Sequence, residues 1–297
     1  MSSLSTLDWQ TDAADWPHRA HSTFVTAGGV RWHLQRMGQG PVCLLLHGTG
    51  AATHSFADLM PELAQYFDVL AVDLPGHGFS SRPTELSALS MPGMAAALDA
   101  LLTQLHVDPQ WIIGHSAGAA IACRMTLDGL IRPRGVISIN GALLPLSGFK
   151  HPAITPWLRK VASSDWVANW FARRLEHGGS VERLLAQTGS RLSPAGLRWY
   201  SRLAKTPAHT GTAMAMMAVW DPRPLEKDLP SLSVPLLLLV GSEDRMILPG
   251  EALKVRRLVK DCSVVQLIGL GHLAHEEDAL RVTEEIIKFI REHSSAG

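Results

Sequence analysis

Cysteine and net charge are what this sequence has little of. Its 297 residues include three cysteines, Cys43, Cys123 and Cys262, which lie too far apart for a metal-binding pair. Such an odd and sparse count is typical of a reducing compartment. Lys plus Arg and Asp plus Glu both number 27, and no long basic run occurs, so nucleic acid is not expected as the main partner. The sequence thus predicts no metal site, no cofactor and no nucleic-acid interface.

Long hydrophobic segments are also missing. The longest apolar run, "VPLLLLVG" at 234–241, is too short to span a bilayer. The stretch 1–19 contains acidic side chains and no apolar core, unlike a signal peptide. We therefore expect a cytoplasmic protein with no transmembrane segment. Because 46% of the residues are hydrophobic and 18% are charged, the chain can bury a sizeable core.

Hydrophobic patterning alternates between strands and helices over most of the chain. Apolar runs such as "PVCLLLHG" at 41–48 and "WIIG" at 111–114 are typical of strands buried on both faces. Segments such as "PGMAAALDALLTQLHV" at 92–107 have apolar residues at helical spacing. The pair Gly28-Gly29 indicates a hairpin between two further strands. The alternation predicts an α/β fold with a mostly parallel central sheet and helices on both faces.

The alternation stops between two of the predicted core strands. From about Leu143 to Trp220 the pattern is helical and irregular, with no clear strand. Strands and helices then resume with "VPLLLLVG". We predict a core formed by 1–142 and 221–297, with a helical cap at 143–220 inserted between its two parts.

One serine stands between two glycines in the stretch "IIGHSAGAAIA" at 112–122. Gly114-His115-Ser116-Ala117-Gly118 fits the pattern G-x-S-x-G at the junction of a predicted strand and a predicted helix. Glycines there permit a sharp turn that holds the serine hydroxyl clear of the sheet edge. The alternative is a Gly-Ser turn without chemical consequence. We interpret Ser116 as a nucleophile.

A serine nucleophile requires a base, and the base requires an acid that orients it. Two later predicted strands end beside candidates, in the order acid and then histidine. Glu243 and Asp244 follow the first strand, and His272 follows the second. We predict Asp244 as the acid, with Glu243 as its rival, and His272 as the base. We predict that His275 is a supporting or surface residue. The predicted strand that ends at Asn140 has no carboxylate that could compete with Asp244.

Acyl transfer also requires hydrogen-bond donors for an oxyanion. The backbone N–H of Ala117 follows the nucleophile at the start of the predicted helix and is the first candidate. The second lies in the glycine-rich turn "HGTG" at 47–50, where we predict the N–H of Thr49. The alternative is that these glycines serve only to reverse the chain. His47 is predicted to hold the turn in place without transferring protons.

Together these motifs resemble the α/β-hydrolase superfamily. "HGTG", "DLPGHGFSSRP", "GHSAG", "GSEDRMILP" and "GLGHLAHEE" follow that family's order over nearly the whole chain. The serine at position 116 differs from the aspartate that the dehalogenase and epoxide-hydrolase branches use there. The resemblance implies a serine hydrolase in which 143–220 covers the active site.

A narrower resemblance rests on longer stretches of the same sequence. "RWHLQRMGQGP", "LLLHGTGAATHSF", "DLPGHGFS", "MPGMAAALDALL", "GHSAGAAIACRM" and "ISINGALLPL" are similar to the magnesium-chelatase accessory family of bacteriochlorophyll biosynthesis. That resemblance implies a role around magnesium insertion into protoporphyrin IX. A tetrapyrrole would then be the substrate, and magnesium-chelatase subunits would be partners. The family is named for its pathway, and the name supplies no reaction.

The predicted cap contains side chains that suit a large, flat, apolar ligand. Tryptophan and methionine supply broad and adaptable contact area. The predicted substrate-binding residues are Trp157, Trp166, Trp170, Met214 and Met217. The alternative, that most of them form ordinary cap core, stays open.

Three functions remain open at the level of sequence. The first is an esterase-like serine hydrolase of tetrapyrrole metabolism. The second is a general carboxylesterase or C–C bond hydrolase that acts on a small molecule. The third is a non-catalytic tetrapyrrole carrier or chelatase partner. The set of Ser116, Asp244 and His272 argues against the third, since a carrier has no need of it.

Overall fold

An eight-stranded sheet forms the centre of the molecule, with the strand order β1-β2-β4-β3-β5-β6-β7-β8. The computed structural model describes residues 4–145, 164–175 and 179–294. The strands are β1 Ser22–Ala27, β2 Val30–Gly38, β3 Val42–Leu46, β4 Asp68–Val72, β5 Trp111–His115, β6 Gly135–Ile139, β7 Leu236–Gly241 and β8 Cys262–Leu267. β2 pairs antiparallel with β1 and β4, and all other pairs are parallel. The predicted mostly parallel sheet is confirmed.

Helices cover both faces of this sheet. The α-helices of the described residues are α1 Trp9–Asp12, α2 Leu59–Leu63, α3 Met91–Leu105, α4 Ala117–Leu127, α5 Asp165–Leu175, α6 Ser180–Ala186, α7 Pro194–Ala204, α8 Pro207–Val219, α9 Arg223–Asp228, α10 Gly250–Leu258, α11 Ala274–Glu277 and α12 Ala279–Ser294. Helices α3, α4 and α10 pack on one face, and α2 and α12 pack on the other. Every residue of β5, β6 and β7 is therefore buried, which explains their uninterrupted apolar sequences.

Local sequence signals set the ends of several elements. Gly28 and Gly29 have φ of 56° and 77°, and they form the two-residue turn that joins β1 to β2. Both glycines adopt the left-handed conformation that such hairpin turns require, so the predicted hairpin is confirmed. Ser90 caps the N-terminus of helix α3, because its hydroxyl accepts the N–H of Gly93 at 3.2 Å.

Between β6 and β7 the described residues form helices α5 to α9 and no strand. Helix α5 packs on α8. A Cβ atom added to Gly211 of α8 would lie 2.7 Å from the Cβ of Ala168 in α5, so a small residue is needed at this crossing. The division into two core parts and a cap at 143–220 stays a prediction.

No helix of the described residues is long and apolar enough to cross a membrane. The same residues contain no group of three or more His, Cys, Asp or Glu side chains that could hold a metal ion. The carboxyl ends of β3, β5, β6, β7 and β8 share one edge of the sheet. Ligand sites of open α/β sheets form at this edge.

Candidate active site

The turn between β5 and α4 holds Ser116 in a strained conformation. Its φ is 50° and its ψ is −116°, a region that residues with side chains rarely occupy. A Cβ atom on Gly114 would overlap the backbone nitrogen of Ala119, and one on Gly118 would overlap the carbonyl oxygen of Leu46. Glycine is therefore required on both sides of the serine, because α4 must pass this close to β5 and β3. The predicted junction of strand, serine and helix is present as expected.

Asp244 and His272 meet at the carboxyl ends of β7 and β8. The Nδ1 atom of His272 lies 2.8 Å from Oδ2 of Asp244. The other carboxylate oxygen, Oδ1, accepts the backbone N–H groups of Met246 at 2.7 Å and Ile247 at 2.9 Å. Both side chains are buried, whereas Glu243 is exposed. A carboxylate acceptor selects the tautomer with its proton on Nδ1, which leaves Nε2 of His272 free to act as a base.

The loop that carries His272 lies directly beside the serine turn. His115, the neighbour of Ser116, donates from Nε2 to the backbone carbonyl of His272 at 2.9 Å. The two imidazole rings are 4.8 Å apart between centroids. The structure therefore brings Ser116, His272 and Asp244 into one region, and it places Glu243 outside that region.

The turn after β3 passes close to Ser116. A Cβ atom on Gly48 would lie 3.0 Å from the Cβ of Ser116, so the next residue, Thr49, stands at the edge of the same region. The Thr49 hydroxyl donates to the sulfur of Met216 at 3.6 Å. Ala117 is the first residue of α4, where backbone N–H groups point out of the helix end and favour negative charge. The proposed oxyanion donors, Thr49 and Ala117, therefore flank Ser116, and their role stays a prediction.

His47 fixes this turn as a neutral side chain. Its Nε2 accepts the backbone N–H of Leu74 at 2.9 Å, so Nδ1 carries the proton and donates to the carbonyl of Gly48 at 2.8 Å. Burial lowers the pKa of His47, which keeps the ring uncharged. This geometry agrees with the holding role expected for His47.

The predicted substrate-binding residues are spread over the outside of the helical insertion. Trp166 is 74% exposed, Trp170 is 54% exposed and Met217 is 63% exposed. Met214 is partly exposed, and Trp157 lies outside the described residues. The tryptophans face outward because α5 turns Ala168 and Ala172 toward its neighbours. The contact of these residues with substrate stays a prediction.

A buried polar cluster next to the site had no clear signal in the sequence. Glu276, at the end of "GLGHLAHEE", accepts hydrogen bonds at Oε1 from the hydroxyls of Ser55 and of Tyr200 in α7. Ser55 also lies 2.9 Å from Nε2 of His275, which is fully buried and not at the surface. Burial raises the pKa of Glu276 to about 8 and lowers the pKa of His275 to about 3. In the sequence, the only signal for His275 and Glu276 is that they follow His272 by three and four positions.

Asn140 is another residue whose place the sequence did not reveal. The sequence drew attention to this position only because the strand that became β6 ends without a carboxylate that could rival Asp244. In the structure it is 2% exposed and its amide contacts both the β7 and the β8 loops. A polar residue directly after a buried strand is the one signal that could have drawn attention to it.

Comparison with known proteins agrees with the fold. A family model described as alpha/beta hydrolase fold matches residues 41–279. The magnesium-chelatase 30 kDa subunit of Rhodobacter capsulatus is 36% identical over 272 residues, which cover 91% of this chain and 94% of that protein. A pimeloyl-[acyl-carrier protein] methyl ester esterase of Stenotrophomonas maltophilia (strain K279a) is 27% identical over 271 residues, which cover 86% of this chain and 96% of that esterase.

Solved structures show the same likeness in three dimensions. An alpha/beta hydrolase fold protein from Burkholderia ambifaria gives a TM-score of 0.74 at 22% identity, covering 90% of this chain and 97% of that one. At this identity the likeness concerns the fold alone. The match over most of the chain and the close relative confirm the family expected from the motifs, and the chain belongs to the alpha/beta hydrolase fold family.

Proposed function

We propose that this hydrolase cleaves a carboxylic ester through a covalent intermediate on Ser116. The observation that carries the proposal is the strained Ser116 turn beside the buried pair of His272 and Asp244. Strain of this kind is retained where the surrounding structure holds a reactive group in place. A serine, an acid and a histidine in this chain order are the parts of a serine hydrolase of this fold.

The proposed reaction has two halves. In the first, the hydroxyl oxygen of Ser116 attacks the ester carbonyl carbon while its proton passes to Nε2 of His272. The N–H groups of Ala117 and Thr49 stabilise the oxyanion, and Asp244 stabilises the imidazolium. The tetrahedral intermediate collapses, and the alcohol leaves with the proton from His272. In the second half, water attacks the acyl carbonyl carbon while His272 accepts a proton from it. The second intermediate then collapses, the bond to Ser116 breaks, His272 returns the proton to the Ser116 oxygen, and the product leaves as a carboxylic acid.

A fluorophosphonate probe tests this assignment. The wild-type protein is expected to form an adduct on Ser116, visible by peptide mass spectrometry, and to hydrolyse p-nitrophenyl acetate. Ser116→Ala is expected to lose both properties and to keep its circular dichroism spectrum. Ser231→Ala, at an exposed serine shortly before β7, is the matched control and keeps both. Wild-type protein without an adduct, or full turnover by Ser116→Ala, would show that Ser116 is not the nucleophile.

We further propose that the enzyme serves as an accessory factor for magnesium insertion in bacteriochlorophyll biosynthesis. The 36% identity to a magnesium-chelatase 30 kDa subunit supports this, as does the likeness of the stretches from "RWHLQRMGQGP" to "ISINGALLPL". A tetrapyrrole is then the substrate, and magnesium-chelatase subunits are the partners. Exposed Trp166 and Trp170 are available to meet a flat apolar ring.

Protoporphyrin IX binding tests the tetrapyrrole. Energy transfer to a bound ring is expected to quench tryptophan emission, and Trp166→Phe and Trp170→Phe, made singly, identify which side chain reports. Unchanged tryptophan emission at porphyrin concentrations well above micromolar would exclude a tetrapyrrole substrate. A smaller ester would then be the proposed substrate.

A general carboxylesterase is the second candidate function. The 27% identity to a pimeloyl-[acyl-carrier protein] methyl ester esterase over 86% of this chain favours it. A panel of methyl esters, some linear and some of tetrapyrrole carboxylates, separates the two candidates. Preference for linear acyl chains, measured as kcat/KM, would favour the general esterase.

We also propose a cytoplasmic location. Cys43, Cys123 and Cys262 are all unpaired, and Cys43 and Cys123 are buried. Unpaired cysteines are typical of reducing compartments. Fractionation of cells that produce the protein checks this, and recovery outside the cytoplasm would contradict it.

A further inference from the structure

The backbone carbonyl of His272 accepts two hydrogen bonds from buried side chains. Nε2 of His115 donates to this oxygen at 2.9 Å, and Nδ2 of Asn140 donates to it at 2.8 Å. His115 is 2% exposed and Asn140 is 2% exposed, so neither bond competes with water. The two donors come from different strands, since β5 ends at His115 and Asn140 follows β6.

All hydrogen-bonding atoms of the Asn140 amide are in use. Its Nδ2 also donates to the carbonyl of Gly271 at 2.9 Å, and its Oδ1 accepts the N–H of Gly241 at 2.7 Å. This pattern fixes the orientation of the amide, because the flipped amide would set its oxygen against two carbonyls. Gly241 is the last residue of β7, three positions before Asp244. One amide therefore ties the strand that carries the acid to the loop that carries the base.

Asn140 holds this place at a cost in backbone conformation. Its φ is 46°, in the left-handed region, where asparagine is one of the few tolerated residues other than glycine. Its own N–H donates to the carbonyl of Leu239 in β7, and the carbonyl of its neighbour Ile139 accepts the N–H of Ser116. The residue thus stands between the nucleophile turn and the acid strand.

His115 completes the connection from the nucleophile side. Because a carbonyl accepts from Nε2, the proton of this ring must be on Nε2. Burial lowers the pKa of His115 well below its ordinary value, so the ring is neutral and holds one donor. The backbone of Ser116 follows directly, and any shift of His115 would move the serine relative to the base.

We propose that Asn140 and His115 are positioning residues, which clamp the His272 carbonyl and so fix the imidazole between Asp244 and Ser116. The inference rests on the proposed ester hydrolysis. Asp244 restrains the imidazole ring itself through Nδ1, whereas the clamp restrains the backbone from which the ring extends. A displacement of about 1 Å in such a group costs about 10²-fold in rate.

Two variants remove the donors separately. Asn140→Asp keeps the acceptor for Gly241 and replaces the amide donor with an oxygen that faces two carbonyls. His115→Phe keeps a ring of similar volume and removes the Nε2 donor. Asn169→Asp, on α5, is the matched control for the added charge, and His115→Gln is the conservative variant that retains a donor.

The measurements separate kcat from KM with p-nitrophenyl acetate and follow the Nδ1 proton of His272 by NMR in 15N-histidine-labelled protein. We expect kcat to fall about 10- to 100-fold in each donor variant, with KM changed less than about twofold. The low-field resonance of the His272 Nδ1 proton is expected to shift or broaden in Asn140→Asp and in His115→Phe. His115→Gln is expected to keep a higher kcat than His115→Phe, because it retains a donor. In the double variant the losses are less than multiplicative, since both donors act on one carbonyl.

Two results would overturn the proposal. One is a kcat within twofold of wild type in both donor variants. The other is a lower kcat with an unchanged His272 Nδ1 resonance, which would trace the loss to general destabilisation. If Asn140→Asp does not fold, His115→Phe carries the test alone. The NMR readout needs no turnover, so a shifted resonance in a protein without esterase activity would support the clamp while refuting the proposed reaction.

Discussion

Two adjacent carboxylates, Glu243 and Asp244, differ in environment more than in chemistry. Asp244 is 3% exposed and directs Oδ1 to two backbone N–H groups and Oδ2 to His272, whereas Glu243 faces solvent. A buried carboxylate with three such partners has a fixed geometry, which an exposed side chain does not have. At the scale of one residue, burial therefore decides which of the two carboxylates can orient His272.

Asp244→Asn tests this difference. The Asn oxygen is expected to keep the N–H groups of Met246 and Ile247, which turns the amide nitrogen toward Nδ1 of His272. Nδ1 must then accept, and the ring proton moves to Nε2, where a base is needed. By analogy with other triads, kcat should fall about 10⁴-fold.

Glu243→Gln is the matched control for Asp244→Asn, and it should keep kcat within about twofold because an exposed carboxylate is weakly coupled to the site. Steady-state kinetics with p-nitrophenyl acetate measures both variants. A larger loss in Glu243→Gln than in Asp244→Asn would reverse the assignment of the acid.

At the scale of elements, close packing of α4 on the sheet shapes the site. The first turn of α4 lies against the carbonyl of Leu46 at the end of β3, with only the hydrogen of Gly118 between them. This packing brings the β3 turn, the serine and the helix end together. The proposed oxyanion donors and the proposed nucleophile therefore lie together at one helix–sheet contact.

Gly118→Ala tests the contact. The added methyl group overlaps the Leu46 carbonyl oxygen, and α4 cannot move away without unpacking its buried alanines. We expect a loss of about 1–3 kcal/mol in the free energy of unfolding, measured by urea denaturation.

Gly250→Ala is the matched control for the helix contact. Gly250 begins α10, and a Cβ atom there meets nothing within 4 Å. Alanine should be neutral or stabilising by up to about 1 kcal/mol, because it forms helices better than glycine. Equal stability of Gly118→Ala and wild type would mean that the close approach at β3 is not required.

At the scale of the whole molecule, buried titratable groups around the site make stability depend on pH. Burial lowers the pKa of His54 and His275 to about 3 and of His209 to about 4, from an ordinary value of 6.5. Burial raises the pKa of Glu276 from 4.5 to about 8. The folded protein therefore keeps these three histidines neutral above about pH 4 and the Glu276 carboxyl neutral up to about pH 8.

These groups act in opposite directions. Below pH 6.5 the histidines take up protons only in the unfolded chain, so each lowers stability by about 1.4 kcal/mol per pH unit as pH falls toward its folded value. The neutral Glu276 favours the folded state below pH 4.5, and this contribution is lost as pH rises to about 8. Among the four groups, three histidines outweigh one carboxyl below pH 6.5, and only the carboxyl acts above it.

We expect the highest stability near pH 6.5, with a steep loss toward pH 5 and a loss of about 2 kcal/mol between pH 6.5 and 8. Urea denaturation at half-unit pH steps measures both limbs. Glu276→Gln should abolish the alkaline limb and leave the acidic one. An alkaline limb that persists in Glu276→Gln would contradict the assignment of that limb to Glu276.

The sequence by itself determined the family, the order of the elements and the residue types of the site. Apolar runs of strand length and helical periods depend on neighbours within a few residues, so the alternation and the Gly28-Gly29 hairpin are local properties. Gly114 likewise reports a local steric requirement of the serine turn, since a Cβ atom there would overlap the backbone of Ala119 five residues later. These features need no knowledge of which strands become neighbours.

The tertiary structure alone decided which side chains meet. The contact of His272 with Asp244 spans 28 positions, and its contact with Asn140 spans 132. Such pairs depend on the order of the strands in the sheet and on the side to which each loop turns. Neither can be read from residue types and their spacing. The tertiary structure also decided which side chains are buried. Trp166 faces outward because Ala168 and Ala172 fill the inner side of α5, and helical periodicity alone does not tell which side of this helix faces the protein. Local steric requirements follow from the sequence itself, whereas long-range contacts form only when the strands assemble into the sheet.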